Sequence, residues 1–371
     1  MKIIKKVPFF NYPHVYKQYK EEIDSAISDV ANRGAFILQK DLEEFERNLA
    51  AFTGAKYALG VANGTDALIV ANRAAGLGRG DEIIFSSHTY IATAASIHFA
   101  EATPVPVECQ ADHMIDPESV KKAITSKTKA IMPTQLNGRT CDMDALKKIA
   151  DENGLIIIED AAQCLGSSFK NKQAGTFGAA GTISFYPAKI LGSFGDGGAI
   201  LTNDSEMYRK MKLLKDHGRN DDGLVVTWGL NSRLDNMQAA ILNVKLKHLN
   251  EDIQKRRHIA SMYQSNLENI SQLLLPPAPD CDEDHYDVYQ NYEIEAERRD
   301  ELKKFLFENG VGTIIQWAGK AVHQFEDLKF NVSLPFTEKM IANSLMLPMN
   351  TSLTDDDVLY VCETVASFYN K

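Results

Sequence analysis

Between residues 57 and 202 the chain alternates short apolar runs with amphipathic stretches, and this alternation constrains the fold more than any other feature. Residues 57–62, 82–85, 103–107, 129–132, 155–158, 182–185 and 199–202 read as strands. Residues 65–75, a segment opened by Asp116-Pro117 and residues 142–152 read as helices, the last closed by Gly154. Strand and helix in turn predict a mostly parallel sheet covered on both faces. Ligands of such a sheet gather at the carboxyl ends of its strands.

Ahead of this region, Tyr19, Ile23, Ala26, Ile27 and Val30 mark a helix ending near Gly34, and Leu42, Phe45, Leu49 and Phe52 mark one ending at Gly54. Beyond about Met207 the pattern turns to long helices, chiefly residues 235–249 and the segment behind them. A proline-rich, then acidic loop runs from Pro276 to Asp284, followed by the strand-like and helical pieces of a smaller unit. The expected division is residues 1–245 as a large α/β unit with N-terminal helices and residues 246–371 as a small α+β unit. With 371 residues, 44% of them apolar, the chain has enough core for both.

Charge excludes some partners. Forty Lys and Arg stand against 50 Asp and Glu, and the resulting −10 is spread along the chain. Nucleic acid and anionic membranes select a basic face, so neither is expected as the main partner. No apolar run approaches the roughly 20 residues that cross a bilayer, and Val7-Pro8-Phe9-Phe10 is too short and proline-broken for a signal-peptide core. A cytoplasmic location follows. The five cysteines (Cys109, Cys141, Cys164, Cys281 and Cys362) are scattered and read as free thiols. The carboxylates beside His285 are consecutive rather than at ligand spacing, which marks a solvated loop, and no metal is expected.

Four segments at expected strand ends carry polar residues that suit chemistry. Asn63-Gly64-Thr65-Asp66 is either a capped helix start or a phosphate cradle, with Gly64 admitting close backbone approach and Thr65 offering an amide and a hydroxyl. Asp160, in Glu159-Asp160-Ala161-Ala162-Gln163, is either a helix cap or a counter-ion that keeps a heteroaromatic nitrogen protonated. Lys189 closes Ser184-Phe185-Tyr186-Pro187-Ala188-Lys189 ahead of Gly195-Asp196-Gly197-Gly198. It is either a surface lysine or, with a lowered pKa, a Schiff-base amine. Tyr90, in His88-Thr89-Tyr90, either packs in the core or lies flat on a planar ring. A phosphate grip, a ring platform, a carboxylate and an amine are together what one cofactor needs.

Those motifs, with Asn231-Ser232-Arg233-Leu234-Asp235, resemble the DegT, DnrJ, EryC and StrS family of sugar aminotransferases, from about Val7 to the end of the chain. The resemblance implies a fold-type I transferase dependent on pyridoxal 5'-phosphate, with residues 1–245 binding the cofactor. It implies that Lys189 carries the cofactor aldehyde and shuttles the proton, and that Asp160 binds the pyridine nitrogen. Gln163 would sit by the ring hydroxyl, and Tyr90 would stack on the ring. Gly64, Thr65 and Ser184 would hold the phosphate, with Asn231 reaching in from the other subunit of a homodimer, and Arg233 would face the substrate.

The family's dehydratases carry His where this chain has Lys189, which favours amino transfer from L-glutamate to a nucleotide-linked 3- or 4-keto deoxysugar in surface-polysaccharide precursor synthesis. A different pyridoxal-phosphate reaction, or a regulatory protein on the same fold, is the alternative. The chain departs from the family at Leu136-Asn137-Gly138-Arg139 and at Gln316-Trp317-Ala318 with His323 beyond. Those segments border the sugar and nucleotide, so Gln316, Trp317 and His323 are the expected substrate contacts.

Overall fold

The computed structural model describes residues 4–370. Its strands are β1 (Tyr57–Val61), β2 (Glu82–Ser86), β3 (Thr103–Val107), β4 (Thr128–Met132), β5 (Ile156–Asp160), β6 (Ser168–Phe169), β7 (Lys172–Gln173), β8 (Ala180–Ser184), β9 (Gly198–Thr202), β10 (Leu273–Leu274), β11 (His285–Tyr286), β12 (Tyr292–Ala296) and β13 (Ser344–Leu347). A seven-stranded sheet has the order β1-β9-β8-β5-β4-β2-β3. Neighbours from β8 to β3 pair in parallel, while β9 runs antiparallel to both β8 and β1, so β9 alone is reversed. The carboxyl ends of β1, β2, β4, β5 and β8 therefore share one edge. Ile83, Ile84 and Phe85 are all fully buried rather than alternately so, as strands with helices on both faces require.

The helices are α1 (Tyr12–Gln18), α2 (Lys20–Arg33), α3 (Lys40–Thr53), α4 (Gly64–Ala74), α5 (Ile91–Phe99), α6 (Pro117–Ala123), α7 (Met143–Asn153), α8 (Ser205–Lys215), α9 (Asn236–Leu267), α10 (Arg299–Glu308), α11 (Pro335–Asn343) and α12 (Asp355–Tyr369). The expected caps are in place: Asp116 and Asp142 accept amide hydrogens from the first turns of α6 and α7, and Gly154 closes α7 in the left-handed conformation.

Two boundaries differ from expectation in ways that matter. The strand expected to stop at Ile158 runs on to Asp160, so two carboxylates lie in its last two positions. The helix expected over residues 235–249 with a separate segment behind it is one 32-residue helix, since the span contains neither glycine nor proline to end it. The first half of α9 packs in the core that holds Phe45, Phe185 and Leu201, and its second half in the core that holds Tyr292, Leu345 and Val361. The division expected between residues 245 and 246 falls inside this helix. Val7 pairs with Val311 and packs in the same core as Tyr292 and Leu345, so the start of the described chain lies on the small unit.

Candidate active site

At the shared carboxyl edge lies a cavity of about 800 Å³. One end is formed by α4 and the turn after β8. Asn63 caps α4, its Oδ1 accepting from the Asp66 amide at 2.8 Å. This leaves the first-turn amides of Gly64 and Thr65 at the positive end of the helix, on the cavity wall beside Ser184. A Cβ on Gly64 would stand 2.9 Å from the Ser184 Cβ, and one on Gly198 would stand 2.5 Å from the Asn63 carbonyl carbon. Only glycine at both positions lets the two turns close into this cradle. The Thr65 hydroxyl makes no hydrogen bond among the described residues and is free for a ligand. The shape and donors suit a phosphate.

The middle of the cavity is set by β5. Glu159 is completely buried, and it accepts from the amides of Gly175 (2.7 Å), Phe177 (2.6 Å) and Gly178 (2.9 Å) and from Gln135 Nε2 (2.8 Å). With four donors and no exposure, it ties β5 to the turn before β8. Asp160 is also buried, but its carboxylate accepts only from the Thr93 hydroxyl at 2.6 Å and the Ala162 amide at 3.2 Å, and among the described residues no cation lies within ion-pair distance. Burial raises its pKa, and the two hydrogen bonds and the charge of Lys189 oppose the rise. A buried carboxylate facing a cavity without an ion-pair partner suits a protonated ring nitrogen.

Thr93 also meets Thr89 (2.7 Å), and Thr89 meets Thr134 (2.9 Å). Because ionised Asp160 only accepts, the hydroxyls must donate in one direction, from Thr134 to Thr89 to Thr93 to Asp160. None of these threonines stands out in the sequence. Thr93 lies four residues past Thr89 on α5, and the triad forms only when β2, β4 and β5 are side by side.

Lys189 sits on the turn between β8 and β9, its amide bonded to the Tyr186 carbonyl at 2.8 Å. It lines the same cavity as Asp160, whose charge it feels. Burial lowers its amine pKa, and the charge of Asp160 opposes this, so a neutral, nucleophilic amine is favoured relative to a solvated lysine. Gln290 grips the backbone on both sides of the lysine: its Oε1 accepts from the Ile190 amide at 2.6 Å, and its Nε2 donates to the Ala188 carbonyl at 2.9 Å. No motif marks Gln290, which belongs to the segment before β12, 101 residues beyond Lys189 in sequence (290 − 189).

Tyr90 precedes α5 with more than half its surface exposed and lies on the cavity wall. Gln163 lies there too, with its Oε1 accepting from the Asn137 amide (2.9 Å) and Asn291 Nδ2 (3.3 Å), which leaves its Nε2 to face the cavity as a donor.

The far wall is amide-rich. Asn137, in the left-handed conformation, accepts on Oδ1 from Asn291 Nδ2 (2.8 Å) and Gln316 Nε2 (2.9 Å). Gln316 and Trp317 line the cavity together with Phe10, Ile314 and Met346. Trp317 and Ala318 both have left-handed backbone (φ 46° and 60°), costing on the order of 1 kcal/mol each. Three expected residues lie elsewhere. His323 is buried, with Nδ1 on the Ser87 hydroxyl (2.7 Å) and Nε2 on Glu338 (3.1 Å), outside the cavity. Arg233 pairs with Asp216 at 3.2 Å, and exposed Asn231 bridges Asp216 through the backbone; neither reaches the cavity of its own chain. Beside Asn231 an arm exposes Leu224, Val225, Val226 and Trp228, the last 92% exposed.

Residues 17–366 match the model of the DegT/DnrJ/EryC1/StrS aminotransferase family. A pleiotropic regulatory protein of Geobacillus stearothermophilus is 40% identical, with 98% of each chain covered. The dTDP-3-amino-3,4,6-trideoxy-alpha-D-glucose transaminase of Streptomyces venezuelae is 39% identical, covering 97% of this chain and 95% of that one. The crystal structure of S. venezuelae DesV superimposes with a TM-score of 0.95 at 38% identity, covering 99% of both chains.

Proposed function

The chain belongs to the DegT/DnrJ/EryC1/StrS aminotransferase family, and we propose that it transfers the amino group of L-glutamate to the keto carbon of a nucleotide-linked deoxysugar. The observation that carries this reading is that Lys189 and Asp160, close enough to interact electrostatically, line one cavity whose end is a phosphate cradle. Pyridoxal 5'-phosphate, the family's cofactor, supplies there an aldehyde for an amine and a sink for the electrons released when a proton leaves carbon. The cradle, the unpaired carboxylate and the buried amine suit its phosphate, its ring nitrogen and its aldehyde.

In this reading each residue has a separate task. The amides of Gly64 and Thr65 and the hydroxyls of Thr65 and Ser184 hold the phosphate. Asp160, oriented by the Thr93 hydroxyl, keeps the ring nitrogen protonated, and Gln163 donates its free Nε2 to the ring hydroxyl. Tyr90 covers one face of the ring. Lys189 Nζ takes the proton from the amino-bearing carbon of glutamate and later delivers one to the sugar carbon that was the ketone. Gln290 fixes the position from which that amine works. Gln316 and Trp317 are the sugar-side contacts.

Asn231, remote from its own cavity but next to the exposed apolar arm, supports a homodimer in which it closes the phosphate cradle of the second copy, with Arg233 on the substrate side. We assign the cofactor to the unit within residues 1–245 and the small unit to residues 246–371, with α9 running through both and Val7 packed on the small unit. No helix among the described residues is long and apolar enough to cross a membrane. We place the reaction in the cytoplasm, on the route to surface-polysaccharide precursors.

The test is direct. Purified protein should be yellow, bleach with glutamate, and convert one member of a panel of dTDP-, UDP- and GDP-linked 3- and 4-keto sugars to an amino sugar detected by mass. Protein that is yellow yet unchanged by glutamate would overturn the reading in favour of a regulatory role.

A further inference from the structure

Behind the amide wall, the segments following β2 and β3 and strand β12 bring His88, His113 and Glu293 together, all buried. One ligand atom from each lies within 4.8 Å of the others. Glu293 Oε2 is 3.0 Å from His113 Nδ1 and 3.5 Å from His88 Nε2. Ligands about 2.0–2.2 Å from a tetrahedral ion stand about 3.3 Å apart, and the two distances to Glu293 straddle that value. His88 Nε2 and Glu293 Oε1 are buried with no hydrogen-bond partner.

The remaining polar atoms are engaged as they are around a bound metal. His88 Nδ1 meets the His113 carbonyl (3.4 Å), His113 Nε2 meets Glu295 Oε1 (3.3 Å), and Asn137 Nδ2 donates to Glu293 Oε2 (2.8 Å). Ligating imidazoles keep their second nitrogen on a carbonyl or carboxylate, and ligating carboxylates are themselves hydrogen-bonded.

We propose that His88, His113 and Glu293 bind a divalent transition ion of the zinc class. Two imidazoles and a carboxylate suit such an ion and not calcium or magnesium, which take oxygen ligands. Its two charges match Glu293 and Glu295. The ion ties the large unit, which carries both histidines, to β12 of the small unit, and Asn137 connects it to Gln163. The site stands on its own geometry and is independent of the amino-transfer reading.

The competing occupant is a proton. Burial alone would lower the His113 pKa, but its hydrogen bonds to Glu293 and Glu295 outweigh this and raise it to about 10, so the ion must displace a proton from Nδ1.

The experiment is elemental analysis of the cofactor-loaded protein purified without chelators, followed by EDTA dialysis and titration with ZnCl2 alone. About one zinc per chain is expected. His113→Ala and His88→Ala should each weaken retention at least tenfold, and Glu295→Gln should weaken it by about 10–100-fold. X-ray absorption at the zinc edge of the wild-type protein guards against variants that misfold and should show two imidazoles and no sulfur. Wild-type protein that neither carries nor takes up zinc, or zinc held by sulfur, overturns the site in favour of the protonated ion pair.

Discussion

Asp160 and Ser184 end the paired strands β5 and β8, Gly64 opens α4 just beyond β1, which β9 joins to β8 in the same sheet, and Lys189 lies on the turn just beyond Ser184, so backbone pairing sets their spacing. Across the cavity, Gln290, Asn291, Gln316 and Trp317 come from loops of the small unit, held by amide-to-amide hydrogen bonds and by left-handed backbone at Trp317 and Ala318. A wall built on a sheet tolerates only the residues its chemistry needs. A wall built of interlocking amides can exchange members as long as donors still meet acceptors. On the function proposed above, the reaction belongs to the first wall and the choice of substrate to the second.

The largest effect should come from the sheet wall. Lys189→Ala should lower turnover at least about 10⁴-fold while leaving the fold intact by circular dichroism, since both the amine and the proton carrier are lost. Near-normal multiple turnover by a folded variant would end the assignment. Asp160→Asn should retain the cofactor but lower kcat about 10²–10³-fold with little change in KM, because a neutral side chain cannot keep the ring nitrogen protonated. Activity within a few-fold of wild type would reduce Asp160 to a structural cap.

The far wall should respond more weakly. Gln290→Ala removes both hydrogen bonds that grip the backbone flanking Lys189, and a fall of about tenfold in kcat is expected. A change confined to KM for the sugar would instead make Gln290 a substrate contact. The smallest effect should be that of His323→Ala: sugar KM unchanged, and stability in urea lower by about 1–3 kcal/mol as Ser87 and Glu338 lose their buried partner. A raised sugar KM with unchanged stability would return His323 to the substrate site.

How much could be read in the sequence follows the same division. Strands and helices of the large unit appear within a few residues of where the apolar period puts them, and Gly64, Thr65, Asp160, Ser184 and Lys189 meet as expected because each belongs to a contiguous motif at a strand end. The expected strand ends two residues before β5 does because consecutive carboxylates read as a strand terminus. The four donors that keep Glu159 buried come from residues 135 and 175–178, and nothing local announces them. Gln290, Asn291 and the Thr134–Thr89–Thr93 chain escape a reading of the sequence for the same reason: apart from the Thr89–Thr93 link, their partners are tens of residues away or more. His323 is expected at the site from the family's segment, but partners on both ring nitrogens, buried Ser87 and partly exposed Glu338, keep it out of the cavity.

Helix α9 has a mechanical consequence. Its 32 residues span about 48 Å as a single beam without a joint, rooted in one core and ending in the other. The small unit therefore cannot swing on a flexible pivot in this helix; it can only follow elastic flexure of the beam. Even flexure of about 5° over the distal half displaces the tip by about 1 Å. Displacement on that scale separates a productive from an unproductive approach to the amine, so the stiffness of α9 bounds how far the far wall can adapt to sugars of different size.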